Sequence, residues 1–317
     1  MTLFGSTAYS RAMQRTGISS ASSARLSFTG LLELLKPITW FPPMWAFLCG
    51  AISAGTGITD HLWLLLAGIV LTGPLVCGAS QIINDWCDRD VDALNEPHRP
   101  IPSGRVPAMT ALVFAWLWST LAMTWGAALG TTVAVATGAA LILAWAYSAP
   151  PLRLKRNGWW GNSAVAISYE GLAWVTGAAL FLDGQLPGPA ILILAALYSI
   201  GAHGIMTLND FKSIDGDRVM GLRSLPAMLG ALPAAKLACA VMLIPQLVVI
   251  ALLYHWQAPW FATAIVALVI AQCLAMMRLL RDPERFAPWY NGTGVTAYVA
   301  GMMIAASALA SIAGATP

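Results

Sequence analysis

The chain has 317 residues, 58% of them hydrophobic and 10% charged, with a mean hydropathy of +0.70 and a formal net charge of +3. Soluble domains carry roughly a quarter charged residues, so a water-soluble fold is excluded; helices of roughly 20 residues each, crossing a bilayer, account for most of the length. The small net charge says little by itself, and no nucleic-acid partner is expected.

Residues 1–28 are Ser-rich, contain Arg11, Arg15 and Arg25, and have no acid. They lack an apolar run of about 7–15 residues followed by a cleavage site, so 1–35 reads as a cytoplasmic tail and 36–317 as one transmembrane domain. Apolar runs at 38–56, 62–84, 107–128, 131–148, 160–182, 189–209, 232–253, 259–277 and 291–313 predict about nine transmembrane helices. The expected fold is all-α: a polytopic membrane bundle around a central cavity open to the cytoplasmic side. Cys49, Cys77, Cys87, Cys239 and Cys273 are scattered with no CxxC pair, and read as small core residues rather than a zinc or redox site.

With alternate loops assigned inside, all 17 Lys and Arg fall on one side. The opposite loops carry Asp60, His61, Asp183 and His255 and no Lys or Arg. The positive-inside rule then puts the N-terminus in the cytoplasm and the C-terminus outside. Eleven of the 14 acids share the basic side, eight of them in two clusters. Each cluster starts with the same dipeptide, Asn84-Asp85 and Asn209-Asp210, at the end of an apolar helix. The echo suggests two related halves facing each other.

The first cluster reads QIINDWCDRDVDALNEPHRPIPSG. On a helix Asp85, Asp88 and Asp92 fall within about 60° of each other, flanked by Asn84 and Gln81, while Asp90 points roughly 140° away. Three carboxylates on one stripe repel unless a cation compensates them. Hard divalent ions take such oxygen ligands, and Mg²⁺ typically uses one or two carboxylates plus phosphate oxygens.

The fourth helix ends at Pro150-Pro151, which puts Tyr147 at its mouth and Arg153 and Lys155 just beyond. With Arg99 and Lys212 these cations suit diphosphate oxygens, although inside loops are basic in any case. Glu170 lies about halfway along the fifth span, where an ionisable side chain is costly and by default functional. It either stays protonated and hydrogen-bonded or faces a polar substrate pocket. In the second cluster, MTLNDFKSIDGDR, a continued helix gives Asp210 and Asp217 one face with Asn209 and Ser213. Asp215 points elsewhere and is a secondary metal candidate. His203 reads first as a satisfied core histidine, and His98 as a loop residue near the acids.

These residues resemble the UbiA-type intramembrane prenyltransferases, whose first motif is NDxxDxxxD: Asn84, Asp85, Asp88 and Asp92 match it position for position. The run of Tyr147, Pro150, Pro151, Arg153 and Lys155 is similar to the loop after that family's fourth helix. Within the family, NEPHRPIPSG (95–104) and NDFKSIDGDRVMGLRSLP (209–226) resemble the chlorophyll synthase branch. KPITWFPPMWAFLCG (36–50) and Tyr169-Glu170-Gly171 look closer to its bacteriochlorophyll members. Phe41 is a candidate position for telling the tetrapyrroles apart. One departure is Ile214, where many members carry Asp; Asp217 would take over that role.

The resemblance implies esterification of a bacteriochlorophyllide propionate by geranylgeranyl or phytyl diphosphate in the bacterial inner (intracytoplasmic) membrane. It further implies Mg²⁺ on Asp85, Asp88 and Asp92 and on Asp210 and Asp217, with diphosphate contacts from Asn84, Asn209, Arg99, Arg153, Lys155 and Lys212. Membrane lipid and other pigment-biosynthesis proteins are the further partners. The rivals are another acceptor (chlorophyllide, haem or an aromatic acid), a transporter, and a pigment-binding scaffold without turnover. Transport acids belong near mid-membrane, whereas here most acids sit at one surface.

Overall fold

The structure, a computed structural model, describes residues 27–315. Arg11, Arg15 and Arg25 of the expected tail lie outside the described residues. The end of that tail is a helix, α1 (Phe28–Leu34), capped by the Ser27 hydroxyl, which accepts from the Gly30 amide at 3.2 Å. Leu34 and Leu35 are buried with Ile82 and Ile83, so the folded part begins before residue 36.

Nine apolar helices follow: α2 (Phe41–Ser53), α3 (Ile58–Asn95), α4 (Ala108–Leu129), α5 (Thr131–Ser148), α6 (Gly158–Phe181) and α7 (Pro189–Asn209). After two short helices, α8 (Ile214–Val219) and α9 (Leu225–Leu229), come α10 (Ala231–His255), α11 (Pro259–Leu279) and α12 (Pro283–Ala315). Among the described residues eight helices are long and apolar enough to cross a membrane, where nine full spans were expected. The ninth, α2, has 13 residues, or about 20 Å at 1.5 Å per residue. The prolines of the 36–43 segment begin the helix at Phe41 and so shorten it.

Apolar runs mark bilayer thickness, not helix ends. The apolar run of the second span ends at residue 84, and the helix continues through the acidic cluster to Asn95, as the helical stripe of Asp85, Asp88 and Asp92 requires. The sequence between Ser80 and Pro97 contains no Gly or Pro to end it. The acidic cluster is therefore carried on rigid helix. The last helix likewise starts at Pro283, ahead of the expected 291.

Two helices carry a π-helical turn, at Leu71–Cys77 with Pro74 inside it and at Ile167–Leu172. The two are joined by side chains. The Tyr169 hydroxyl lies 2.9 Å from Ser80 Oγ and accepts from Gln81 Nε2 at 3.1 Å and Cys77 Sγ at 3.2 Å. Close packing relies on glycine where α2 meets α6: a Cβ on Gly50 would strike the Trp174 carbonyl, and one on Gly177 the Phe47 carbonyl. Small residues that let backbones touch are the usual means of helix association in lipid.

No β-strand occurs among the described residues, but an isolated parallel bridge joins Asn157 and Arg223. The Gly158 amide donates to Arg223 O at 2.7 Å and the Arg223 amide to Arg156 O at 2.9 Å. The loop after α5 is thereby pinned to the turn after α8.

Candidate functional site

Asp85, Asp88 and Asp92 occupy one stripe of α3, and each carries a basic partner. Lys36 Nζ donates to Asp85 Oδ1 at 2.6 Å. Arg99 Nη1 donates to Asp92 Oδ2 at 2.8 Å and stands 3.5 Å from Asp85 Oδ1. Asp88 holds Lys155 at 2.6 Å and Arg153 at 3.1 Å. Asp85 and Asp92 are buried, and carboxylates removed from water need such partners. Lys155 also reaches Asn84 Oδ1 at 3.1 Å. Burial pushes the Lys155 ammonium down from its ordinary range, and the Asp88 carboxylate acts against that.

Lys36 and Arg153 share a backbone feature. Both lie in the left-handed region, at φ 43° and φ 39°, although neither is glycine, and both precede a short 3₁₀ turn. Such backbone concentrates at functional sites. The Arg153 Nε atom is buried without a hydrogen-bond partner, a donor aimed at no acceptor of this chain.

The second cluster has a different shape from the continuous helix expected. α7 ends at Asn209, and a 3₁₀ turn over Asp210–Ser213 leads into α8. The turn still leaves Asp210 and Asp217 close enough to act on each other electrostatically. Asn162 Nδ2 donates to Asp210 Oδ2 at 3.2 Å, and Ser213 Oγ to Asp217 Oδ2 at 3.2 Å. Asn291 Nδ2 donates to Asn209 Oδ1 at 2.8 Å. Asp215 is exposed and lies 3.4 Å from Arg218, away from the carboxylates it was grouped with. Lys212 is exposed, near enough for its charge to act on Asp210.

The clusters converge. A cavity of about 390 Å³ is lined at one end by Asn84, Tyr147 and Asn209 and further in by Val76, Ala140, Ser168 and Glu170. Tyr147 lies close enough to Asp88, Asp210 and Asp217 to feel the charge of all three. Glu170 is buried in the cavity wall. Phe41 is exposed and stacked on Trp45 at 5.7 Å; its neighbour Pro42, not Phe41, lines the cavity. His203 is buried against Trp159, with Nε2 3.2 Å from the Trp159 carbonyl, and His98 is exposed beside Glu96.

Lys36, Asn162 and Asn291 were not singled out as site residues from sequence. In the sequence Lys36 is one more inside-loop cation, and its partner is 49 positions away. Asn162 and Asn291 sit in apolar helices, where an amide signals a buried hydrogen bond without naming the partner.

Among the described residues no three His, Cys, Asp or Glu side chains form a ready metal cage. The donor set nevertheless fits a hard divalent ion that arrives with phosphate, since Mg²⁺ needs only one or two carboxylates beside substrate oxygens.

Residues 43–292 match the UbiA prenyltransferase family. The bacteriochlorophyll synthase 33 kDa chain of Rhodobacter capsulatus is 55% identical over 281 residues, covering 88% of this chain and 92% of that one. The chloroplastic chlorophyll synthase of Arabidopsis thaliana is 38% identical, covering 93% of this chain and 78% of that one. A UbiA homolog from Archaeoglobus fulgidus solved with DMAPP and Mg²⁺ has the same fold, with a TM-score of 0.63 at 21% identity over 87% of this chain and 99% of that one.

Proposed function

The chain belongs to the UbiA prenyltransferase family, and on that premise we propose that it is a membrane enzyme esterifying the propionate of bacteriochlorophyllide a with geranylgeranyl or phytyl diphosphate, releasing diphosphate. The identity to bacteriochlorophyll synthase chains, 55% and 57%, supports the tetrapyrrole acceptor. The observation that carries most weight is that Asn84 and Asn209, each next to the first acid of its cluster, line one end of one cavity, with Tyr147 near enough to feel the charge of both clusters.

Asp85, Asp88 and Asp92 would hold one Mg²⁺, and Asp210 and Asp217 a second. Bound there, the metal supplies positive charge that stabilises the departing diphosphate. Lys36, Arg99, Arg153 and Lys155 exchange carboxylate oxygens for diphosphate oxygens, Arg153 first, since its Nε has no partner to give up. Asn162 and Asn291 hold Asp210 and Asn209 in position. The prenyl tail lies between apolar helices, where excluded water protects its allylic carbon. The acceptor carboxylate is already ionised at neutral pH. Its oxygen bonds to that carbon as the carbon–oxygen bond to diphosphate breaks, so no general base is required.

The basic loops support a multi-pass arrangement with the N-terminus in the cytoplasm, and the likeness to bacteriochlorophyll synthase chains of bacteria supports the inner (intracytoplasmic) membrane. The direct test is ester formation in isolated membranes, with bacteriochlorophyllide and chlorophyllide offered in parallel, with and without Mg²⁺. The expected outcome is Mg²⁺-dependent ester with preference for bacteriochlorophyllide; product from neither pigment would end the assignment.

A further inference from the structure

The wall of the cavity carries two polar groups that the reaction as described does not use. Glu170 is buried, and its Oε2 has no hydrogen-bond partner. Ser168 Oγ, two residues earlier on the same π-helical turn, is also buried without a partner. Both residues line the cavity. Their neighbour Tyr169 differs: its hydroxyl is fully engaged by Ser80, Gln81 and Cys77, so it fastens the wall rather than facing a ligand.

Leaving a buried polar group unmatched costs on the order of 1–3 kcal/mol, and a carboxyl inside a bilayer costs more. A pair of such groups on one turn of one cavity wall calls for a ligand atom. No ion pair reaches Glu170 among the described residues, and the surrounding wall is Val76, Ala140, Ala166 and Ala202. The match is a neutral acceptor oxygen, to which a carboxyl O–H and a seryl O–H both donate.

Resting on the reading of the site given above, we infer that Glu170 and Ser168 determine acceptor specificity by hydrogen-bonding a peripheral carbonyl of the macrocycle. Position favours this. Glu170 lies 12 residues along α6 from Gly158, at the helix start beside the acidic cluster, or about 18 Å by helix rise. The propionate reacts at the acidic end, so the deep wall meets ring substituents remote from the propionate. Bacteriochlorophyllide a carries an acetyl group where chlorophyllide a carries a vinyl group; only the acetyl oxygen accepts a hydrogen bond.

The test measures apparent KM in membranes containing the full-length chain, for acetyl-bearing and vinyl-bearing pigments and for the prenyl diphosphate. Glu170→Leu is expected to raise KM for the acetyl pigment about ten-fold, the factor that one lost hydrogen bond gives. KM for the vinyl pigment and for the diphosphate should stay within about two-fold. Glu170→Gln keeps an N–H donor and should restore most of the loss. Ser168→Ala, a small change that spares folding, should cost the acetyl pigment about three-fold and the vinyl pigment nothing. Equal losses on both pigments, a rise in diphosphate KM instead, or no change in Ser168→Ala would overturn the inference while leaving the esterification intact. A wild-type chain that esterifies neither pigment would remove the underlying reading, and the inference with it.

Discussion

Lys36 Nζ donates to Asp85 Oδ1 at 2.6 Å, joining the segment ahead of the first apolar helix to the carboxylate that opens the acidic motif. The contact spans 49 positions and closes the site from the N-terminal side. Without Lys36, the buried Asp85 keeps only Arg99, at 3.5 Å.

Lys36→Met is therefore expected to raise the KM for prenyl diphosphate about ten-fold, with Lys36→Arg retaining most of the wild-type value. Steady-state kinetics at fixed acceptor would read this. An unchanged KM would take Lys36 out of the site.

Asp85→Ala and Asp210→Ala should each reduce ester formation by at least ~100-fold, the scale for losing one group that stabilises transition-state charge. Pigment binding should persist in both variants. A variant that keeps more than about a tenth of wild-type turnover would show that its cluster does not serve the leaving group.

Asn162→Ala and Asn291→Ala remove the hydrogen bonds at 3.2 Å to Asp210 and 2.8 Å to Asn209. Loss of groups that orient metal ligands typically costs 10–100-fold, so activity should fall by about that factor, more steeply at low Mg²⁺. A Mg²⁺ titration checks this: parallel curves of wild type and variant would argue for a packing effect alone.

Gly158→Ala would set a Cβ 2.6 Å from the Leu225 amide nitrogen, prising apart the bridge between Asn157 and Arg223. Overpacking of this kind costs about 1–3 kcal/mol. Thermal unfolding in detergent should drop accordingly, and transfer activity with it, because the loop that holds Arg153 and Lys155 loses its anchor. Wild-type stability together with wild-type activity would mean that this anchor is dispensable.

How far the sequence could be read depended on the kind of feature. The spans were legible because lipid demands long apolar runs, and the acidic stripe because i, i+3, i+7 spacing fixes its face. Hydropathy, which falls at residue 84, gave no end point for α3; the helix stops at Asn95, just ahead of Pro97. The 3₁₀ turn at Asp210–Ser213 was hidden, since it changes which acids align without any composition signal. Pairings such as Lys36 with Asp85 arise from the folding of distant segments, and no local pattern announces them. The π-helical turns are equally silent, because an i→i+5 bond needs no particular residue. Glu170 stood out at once, since a carboxyl in an apolar run is conspicuous; its unpartnered Ser168 neighbour did not.

Left-handed backbone at Lys36 and Arg153 has a consequence for any attempt to harden this protein. Glycine would occupy either turn without penalty, and a selection for heat resistance would be drawn to both positions. Glycine carries no ammonium or guanidinium group, so each gain in robustness would strip a cation from the cluster proposed to meet the diphosphate. At these two points durability and turnover are set against each other by the geometry of a single residue.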